Sequence, residues 1–146
     1  MNKPIIGIVV KHRDVSKQRR LTTVPDEMKD AIFFNGAIAI GIIPSMHEIT
    51  LVDKDNEVET FKNIDKMFSK EEKENIICQI KMCDGIILSG GIMTDAYEIF
   101  VAKYCYQNDI PIMGICAGQN NIVRAVGGTT KHIDNPEFHK QFEDYV

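Results

Sequence analysis

No apolar run in this chain approaches the roughly 18 residues needed to span a bilayer, which excludes a membrane partner through a spanning helix. The N-terminus, Met1-Asn2-Lys3-Pro4, runs straight into an apolar segment and lacks the regions of a secretory signal, so the expected compartment is the cytoplasm. Cysteine is scarce: four residues, at positions 78, 83, 105 and 116. None forms a Cys-x-x-Cys pair, which argues against zinc and dithiol motifs, and no metal or other cofactor is expected. In a reducing compartment these are thiols, and Cys78, Cys83 and Cys105 read as small buried hydrophobes. Excess positive charge is also missing. Lys and Arg number 17 against 21 Asp and Glu, a formal charge of −4, which argues against a nucleic-acid partner. Internal repeats and low-complexity linkers are absent. With 44% hydrophobic and 26% charged residues, the 146 residues suit one globular domain spanning 1–146.

What is present is an alternation of short apolar runs with amphipathic stretches, the pattern of an α/β fold with a parallel sheet. Pro4–Val10 is the first strand, apolar throughout as a strand covered on both faces should be. Lys11–Val24 reads as a polar loop. A helix follows with Pro25 at its first position, Asp26 and Glu27 in its first turn and Asn35-Gly36 as its stop. Ala37–Ile43, closed by Pro44, is the second strand. Residues 45 to 68 are less legible, and Ile49–Val52 and Glu57–Phe61 flank a turn that suits a small hairpin. Ser69 and Glu72 form a capping box before a helix with Ile76, Ile77 and Ile80 on one face. Asp84–Ser89 is the third strand and ends at Gly90-Gly91. Asp95 and Glu98 form a second capping box, opening a helix to about Asn108. Ile110–Ile115 is the fourth strand, and it turns through Cys116 into a helix ending at Gly127-Gly128. In such sheets ligands sit outside the carboxyl ends of the strands. The 11–20 loop, Gly90-Gly91 and Cys116 all end at that edge.

Gly114-Ile-Cys116-Ala-Gly118 has the form G-x-C-x-G, the cysteine counterpart of the G-x-S-x-G nucleophile elbow. Glycines two residues either side leave room for a sharp strand-to-helix turn. The thiol then stands at a helix N-terminus, whose partial positive charge favours thiolate. The amide of Ala117 points to where an oxyanion would form, and the end of the neighbouring strand at Gly90-Gly91 can supply a second amide. Lys11, Arg13, Lys17, Arg19 and Arg20 are a basic run suited to lining the mouth of such a site and attracting a substrate carboxylate.

Asp84–Gly91, Ile110–Gly118 and Asn121–Thr129 together resemble the class I glutamine amidotransferase superfamily. The branch most similar is the γ-glutamyl hydrolases of peptidase family C26, which include γ-glutamyl-γ-aminobutyrate hydrolase. Pro4–Ile8 and Gly36–Pro44 also fit that branch. The resemblance implies a flavodoxin-like parallel sheet with helices on both faces. It further implies cleavage of a γ-glutamyl or glutamine-like amide through a thioester on Cys116, with Gly91 and Ala117 at the oxyanion-hole positions. Gly90, Asn120, Arg13 and His12 are the candidate substrate-binding residues. Three positions depart from the family pattern: Asn120 stands where Gln is usual, Ala117 stands where Arg is frequent, and the segment after Gly91 is short.

The family's catalytic His and Glu lie in an H-P-E motif further along the fold. This sequence contains none, so the chain is expected to be a C-terminally truncated, N-terminal part of that fold. Among its own histidines, His132 follows the elbow helix, and about ten helical residues at ~1.5 Å each place it roughly 15 Å from Cys116. His139 lies further along the same tail. His12 and His47 follow strands one and two, at the correct edge, and read as solvated loop residues. The His–Glu pair is then expected from further sequence or a partner chain. A split subunit or remnant that works in a homo-oligomer or with a complementary half is the alternative, because a truncated sheet leaves an open edge. Ile115–Gly118 also resembles the elbow of DJ-1/PfpI-type redox-sensitive proteins, but that family pairs its cysteine with a Glu after the first strand, where this chain offers Asp14.

Overall fold

A computed structural model describes residues 3–16, 19–44, 61–91 and 96–130. Four apolar segments form one parallel sheet: β1 (Ile5–Val9), β4 (Ile38–Ile42), β5 (Gly85–Leu88) and β6 (Ile112–Gly114), in the order β4-β1-β5-β6. Central β1 pairs with β4 from Ile5↔Ile38 to Val9↔Ile42 and with β5 from Ile6↔Gly85 to Val9↔Leu88. β5 pairs with β6 from Ile86↔Ile112 to Leu88↔Gly114. A parallel strand needs a crossover to its neighbour, and three of the α-helices among the described residues supply these. They are α1 (Asp26–Phe34), α2 (Lys70–Ile80) and α3 (Ala96–Gln107), with α4 (Ala117–Ala125) following β6. This is the α/β parallel sheet that the strand pattern implied, in the flavodoxin-like form that the family resemblance implied.

Successive strand residues face opposite sides of a sheet. Ile86 and Leu88 look into the main core, which they share with Val9, Ile42, Ile76, Ile80, Ile99 and Val101. Ile87 faces the other side, where it lines an open groove of about 570 Å³ with Ile6, Met113 and the α1 residues Met28 and Ala31. Helices therefore cover both faces, thickly on one side and with α1 on the other.

The stretch read as a polar loop is an antiparallel ribbon, β2 (Lys11–Ser16) with β3 (Arg19–Thr23), paired from Lys11↔Thr23 to Ser16↔Arg19. Its polar composition hid it: a two-stranded ribbon outside the main sheet has no apolar face whose alternation would reveal it. Helix α1 begins one residue later than expected, with Pro25 in extended conformation as its cap. It stops where expected, at Asn35, followed by Gly36 with φ 79°, a left-handed conformation that favours glycine. The Ser69–Glu72 capping box is present in full, with Glu72 N donating to Ser69 Oγ at 3.2 Å and Ser69 N donating to Glu72 Oε2 at 2.7 Å. On α2, Ile76 and Ile80 are buried while Cys78 is exposed, correcting its reading as a core residue. Two positions separate Cys78 from each isoleucine, which places it on another side of the helix. Cys83 is half-buried, and Cys105 is fully buried as expected. The hairpin expected around residues 49–61 falls almost wholly outside the described residues. No described helix is long and apolar enough to cross a membrane.

Candidate active site

Strand β6 delivers the chain to the carboxyl edge of the sheet, where Ile115 N still donates to Leu88 O at 3.0 Å. The next residue, Cys116, caps α4 with φ 52° and ψ −114°. This is a positive φ at a residue with a Cβ, a conformation that costs on the order of 1–3 kcal/mol and is held only by its surroundings. The surroundings are visible. Gly118 N donates to Ile115 O at 2.9 Å and Gln119 N to Cys116 O at 3.0 Å. A Cβ on Gly114 would lie 2.5 Å from the Gln119 nitrogen, and one on Gly118 would lie 2.3 Å from the Leu88 carbonyl oxygen. Both glycines of the G-x-C-x-G pattern are thus required by backbone packed against backbone. The resulting turn leaves Cys116 exposed.

Gly90 and Gly91 end the neighbouring strand, next to this turn. A Cβ on Gly90 would stand 3.2 Å from Cys116 Cβ and 4.0 Å from its Sγ. Gly90 and the cysteine are therefore neighbours. Ala117 is the first residue of α4, so its amide has no acceptor within the helix.

Cys105 is a buried thiol and Cys83 a half-buried one. Burial pushes Cys105 up to about 12, with Cys83 adding to the effect, and burial followed by the Asp84 charge pushes Cys83 upward. Among the described residues no group of three His, Cys, Asp or Glu side chains could hold a metal ion.

A glutamine amidotransferase class-I family model matches residues 44–143, well over half of the chain. The chain belongs to the class-I glutamine amidotransferase family. Curated relatives agree with this. A CTP synthase of Chlamydia trachomatis serovar L2 is 39% identical over 54 residues, covering 36% of this chain and 10% of the relative. A CTP synthase of Lactobacillus acidophilus is 41% identical over 58 residues, covering 38% and 11%. A glutamine-hydrolyzing GMP synthase of Vibrio cholerae is 35% identical over 57 residues, again covering 38% and 11%. The chain thus matches about a tenth of the length of these relatives.

In this member of the family the structure sets Gly90 beside Cys116, with Gly91 and Ala117 the residues that follow each of them. Within the basic run, Lys11 departs from expectation. Lys11 does not stand free at the mouth: its side chain is only 15% exposed and its ammonium pairs with Glu98, which is fully buried on α3. Its stem lies beside Gly91, where a Cβ would be 3.4 Å from Lys11 Cε. His12 is half-buried rather than solvated, with its ring edge-on to Tyr97 at 6.0 Å between centroids. Arg13 lies in β2 opposite Leu21. Asn120 is exposed on α4, with its backbone N–H donating to Cys116 O at 3.4 Å, while the following residue, Asn121, is fully buried. His47, His132 and His139 fall outside the described residues, as does Asp95, the other half of the second expected capping box.

Sequence reasoning missed a buried polar chain behind the elbow. Asn121 Nδ2 donates to Glu98 Oε2 at 3.2 Å, and Arg124 donates from one nitrogen to Asn121 Oδ1 at 3.3 Å and from another to Thr130 Oγ1 at 3.0 Å. The Tyr97 hydroxyl donates to Val10 O, fixing the residue before Lys11. A signal existed. Glu98 interrupts an otherwise apolar run, Ala96-Tyr-Glu-Ile-Phe-Val-Ala102, and a carboxylate buried in such a helix needs a cationic partner.

Proposed function

We propose that Cys116 is the nucleophile of a domain that hydrolyses the γ-amide of glutamine or a related γ-glutamyl compound. The carrying observation is the elbow: an exposed cysteine at φ 52°, on a strand-to-helix turn, in contact with Gly90. The Cys116 sulfur attacks the γ-carbonyl carbon, and the carbonyl electrons move onto oxygen. Amides of Gly91 and Ala117 are assigned to hold that oxyanion, in a position where such donors are worth several kcal/mol. Collapse breaks the C–N bond, and the leaving nitrogen takes the proton that the thiol gave up. Water then cleaves the thioester, leaving a γ-carboxylate and a free thiol. The proton carrier is assigned to a histidine supplied by further sequence or by a complementary chain. Names of the relatives, one of them glutamine-hydrolyzing, support glutamine as the substrate class. Similarity to the C26 branch supports γ-glutamyl amides more broadly.

The test is covalent labelling with a chloromethyl ketone analogue of glutamine, read by peptide mass spectrometry. One equivalent is expected on Cys116, slowed by free glutamine. Protection by glutamine alone supports an amidotransferase, whereas equal protection by a γ-glutamyl dipeptide supports the C26-like specificity. Labelling of Cys116 no faster than Cys78, with no protection by either compound, overturns the reading.

A further inference from the structure

Three parts of the site come from distant segments: the root of the β2–β3 ribbon, the Gly90-Gly91 turn, and the elbow with α4. The root of the ribbon and α4 are joined through Glu98 by a buried ion pair and a hydrogen bond, and Gly91 packs against the Lys11 stem. Gly91 rests beside the end of the Lys11 stem, 3.4 Å from Cε and 3.7 Å from Nζ for a Cβ at that position. The Lys11 ammonium pairs with the fully buried Glu98 carboxylate. Glu98 accepts from Asn121, which is also fully buried and stands on α4 little more than one turn past Cys116. The circuit closes on the other side, where Gly90 meets Cys116 directly.

A buried ion pair is weak evidence for stability, because desolvation offsets its Coulombic gain and apolar replacements are often no worse. Directional bonds offer something else. Apolar packing tolerates sliding, whereas the Lys11–Glu98–Asn121 line fixes the distance between the chain beside Gly91 and the helix that carries Cys116.

We propose that Lys11 and Glu98 are positioning residues: their buried ion pair, tied through Asn121 to α4, sets the placement of the Gly91 amide relative to Cys116. The inference rests on the reading of Cys116 as nucleophile and Gly91 as oxyanion donor. It assigns no chemistry to Lys11 or Glu98 themselves. They hold two halves of the site in register, so their loss should harm reactions that need a bound carbonyl and spare those that need only the thiol.

Two alkylating probes separate these demands. Iodoacetamide needs an accessible Cys116 thiolate. The chloromethyl ketone analogue of glutamine forms a bond from Cys116 Sγ to its methylene carbon with loss of chloride, and its carbonyl must sit where the substrate carbonyl would. In Glu98→Gln the chloromethyl ketone rate should fall about tenfold, less than the roughly 10²–10³ for outright removal of an oxyanion donor, while iodoacetamide labelling of Cys116 stays within about twofold. The double variant Lys11→Met/Glu98→Leu, which leaves no uncompensated charge, should fold stably and show the same split. Unchanged chloromethyl ketone labelling in both variants overturns the proposal. So does an equal fall for both probes in a folded variant, which would make the pair a support of the elbow alone. Amide hydrogen exchange at Gly90 and Gly91 gives a readout that needs no ligand. Faster exchange there in Glu98→Gln is expected, and unchanged exchange counts against the positioning role. If the wild-type chain shows no selective labelling by the glutamine analogue, the nucleophile reading fails, and the exchange measurement still decides whether the pair positions the turn.

Discussion

Cys116 and Gly90 meet across the carboxyl edge of the sheet: a methyl group on Gly90 would stand 3.2 Å from the Cβ of Cys116. The strained residue and the residue without a side chain are neighbours because strands β6 and β5 are paired, and β5 ends one residue before the glycines begin. The strain at Cys116 is therefore a property of the site, and it is separable from the thiol.

Replacing Cys116 by glycine should stabilise the fold by about 1 kcal/mol, because glycine adopts φ 52° without the Cβ penalty. Cys116→Ala keeps the Cβ and should leave stability close to wild type. Both variants lose all labelling by the glutamine analogue. Urea unfolding of the three proteins checks the order.

The glycines of this fold are not equivalent. Nothing lies within 4 Å of a Cβ on Gly36, so Gly36→Ala should cost only the left-handed conformation at φ 79°, about 1 kcal/mol. Gly118→Ala drives a carbon to 2.3 Å from the Leu88 carbonyl oxygen, and backbone must move. It should lower the unfolding midpoint far more and abolish selective labelling of Cys116. Thermal melts with peptide mapping of alkylated cysteines make the comparison.

How much of this was legible in the sequence differs by element. The four parallel strands could be read because each is a short apolar run, and the elbow because close backbone contact demands glycine at Gly114 and Gly118. The capping box at Ser69 was legible for the same local reason. The β2–β3 ribbon was not, since a polar ribbon leaves no alternation. Lys11 was read as part of a basic run at the mouth of the site because its partner, Glu98, is distant in sequence, and the pairing depends on how α3 packs against the end of β1. Local patterns carry local structure. The partner of a buried charge is a tertiary fact.

The Lys11–Glu98 pair itself predicts a cycle. Glu98→Leu or Lys11→Met alone strands a buried charge and should cost about 3–5 kcal/mol, whereas the double variant should return close to wild-type stability. Denaturant unfolding of all four proteins measures the coupling directly. Additive losses would mean that the two groups do not sense one another.

Cys105 predicts the alkaline limit of the fold. Burial raises its thiol to about 12, above the ordinary thiol range that an unfolded chain would show. A raised acidity constant means that the folded state retains the proton while the unfolded state releases it. Stability is then fully present below the ordinary thiol value and falls as the pH climbs towards 12. Cys105→Ala should flatten that fall. Unfolding midpoints from pH 8 upward, for wild type and variant, test it.

Central β1 has a consequence for synthesis. It leaves the ribosome before the other strands of its sheet, yet its second neighbour arrives late: Ile6 pairs with Gly85, 79 positions further on. At about 5–20 residues per second, one edge of Ile5–Val9 waits roughly 4–16 s for its partner. During that interval an apolar strand with unpaired amides stands open to other nascent chains. The window in which this protein is most prone to aggregate therefore lies before it is complete, and slowing translation between β4 and β5 should lengthen it.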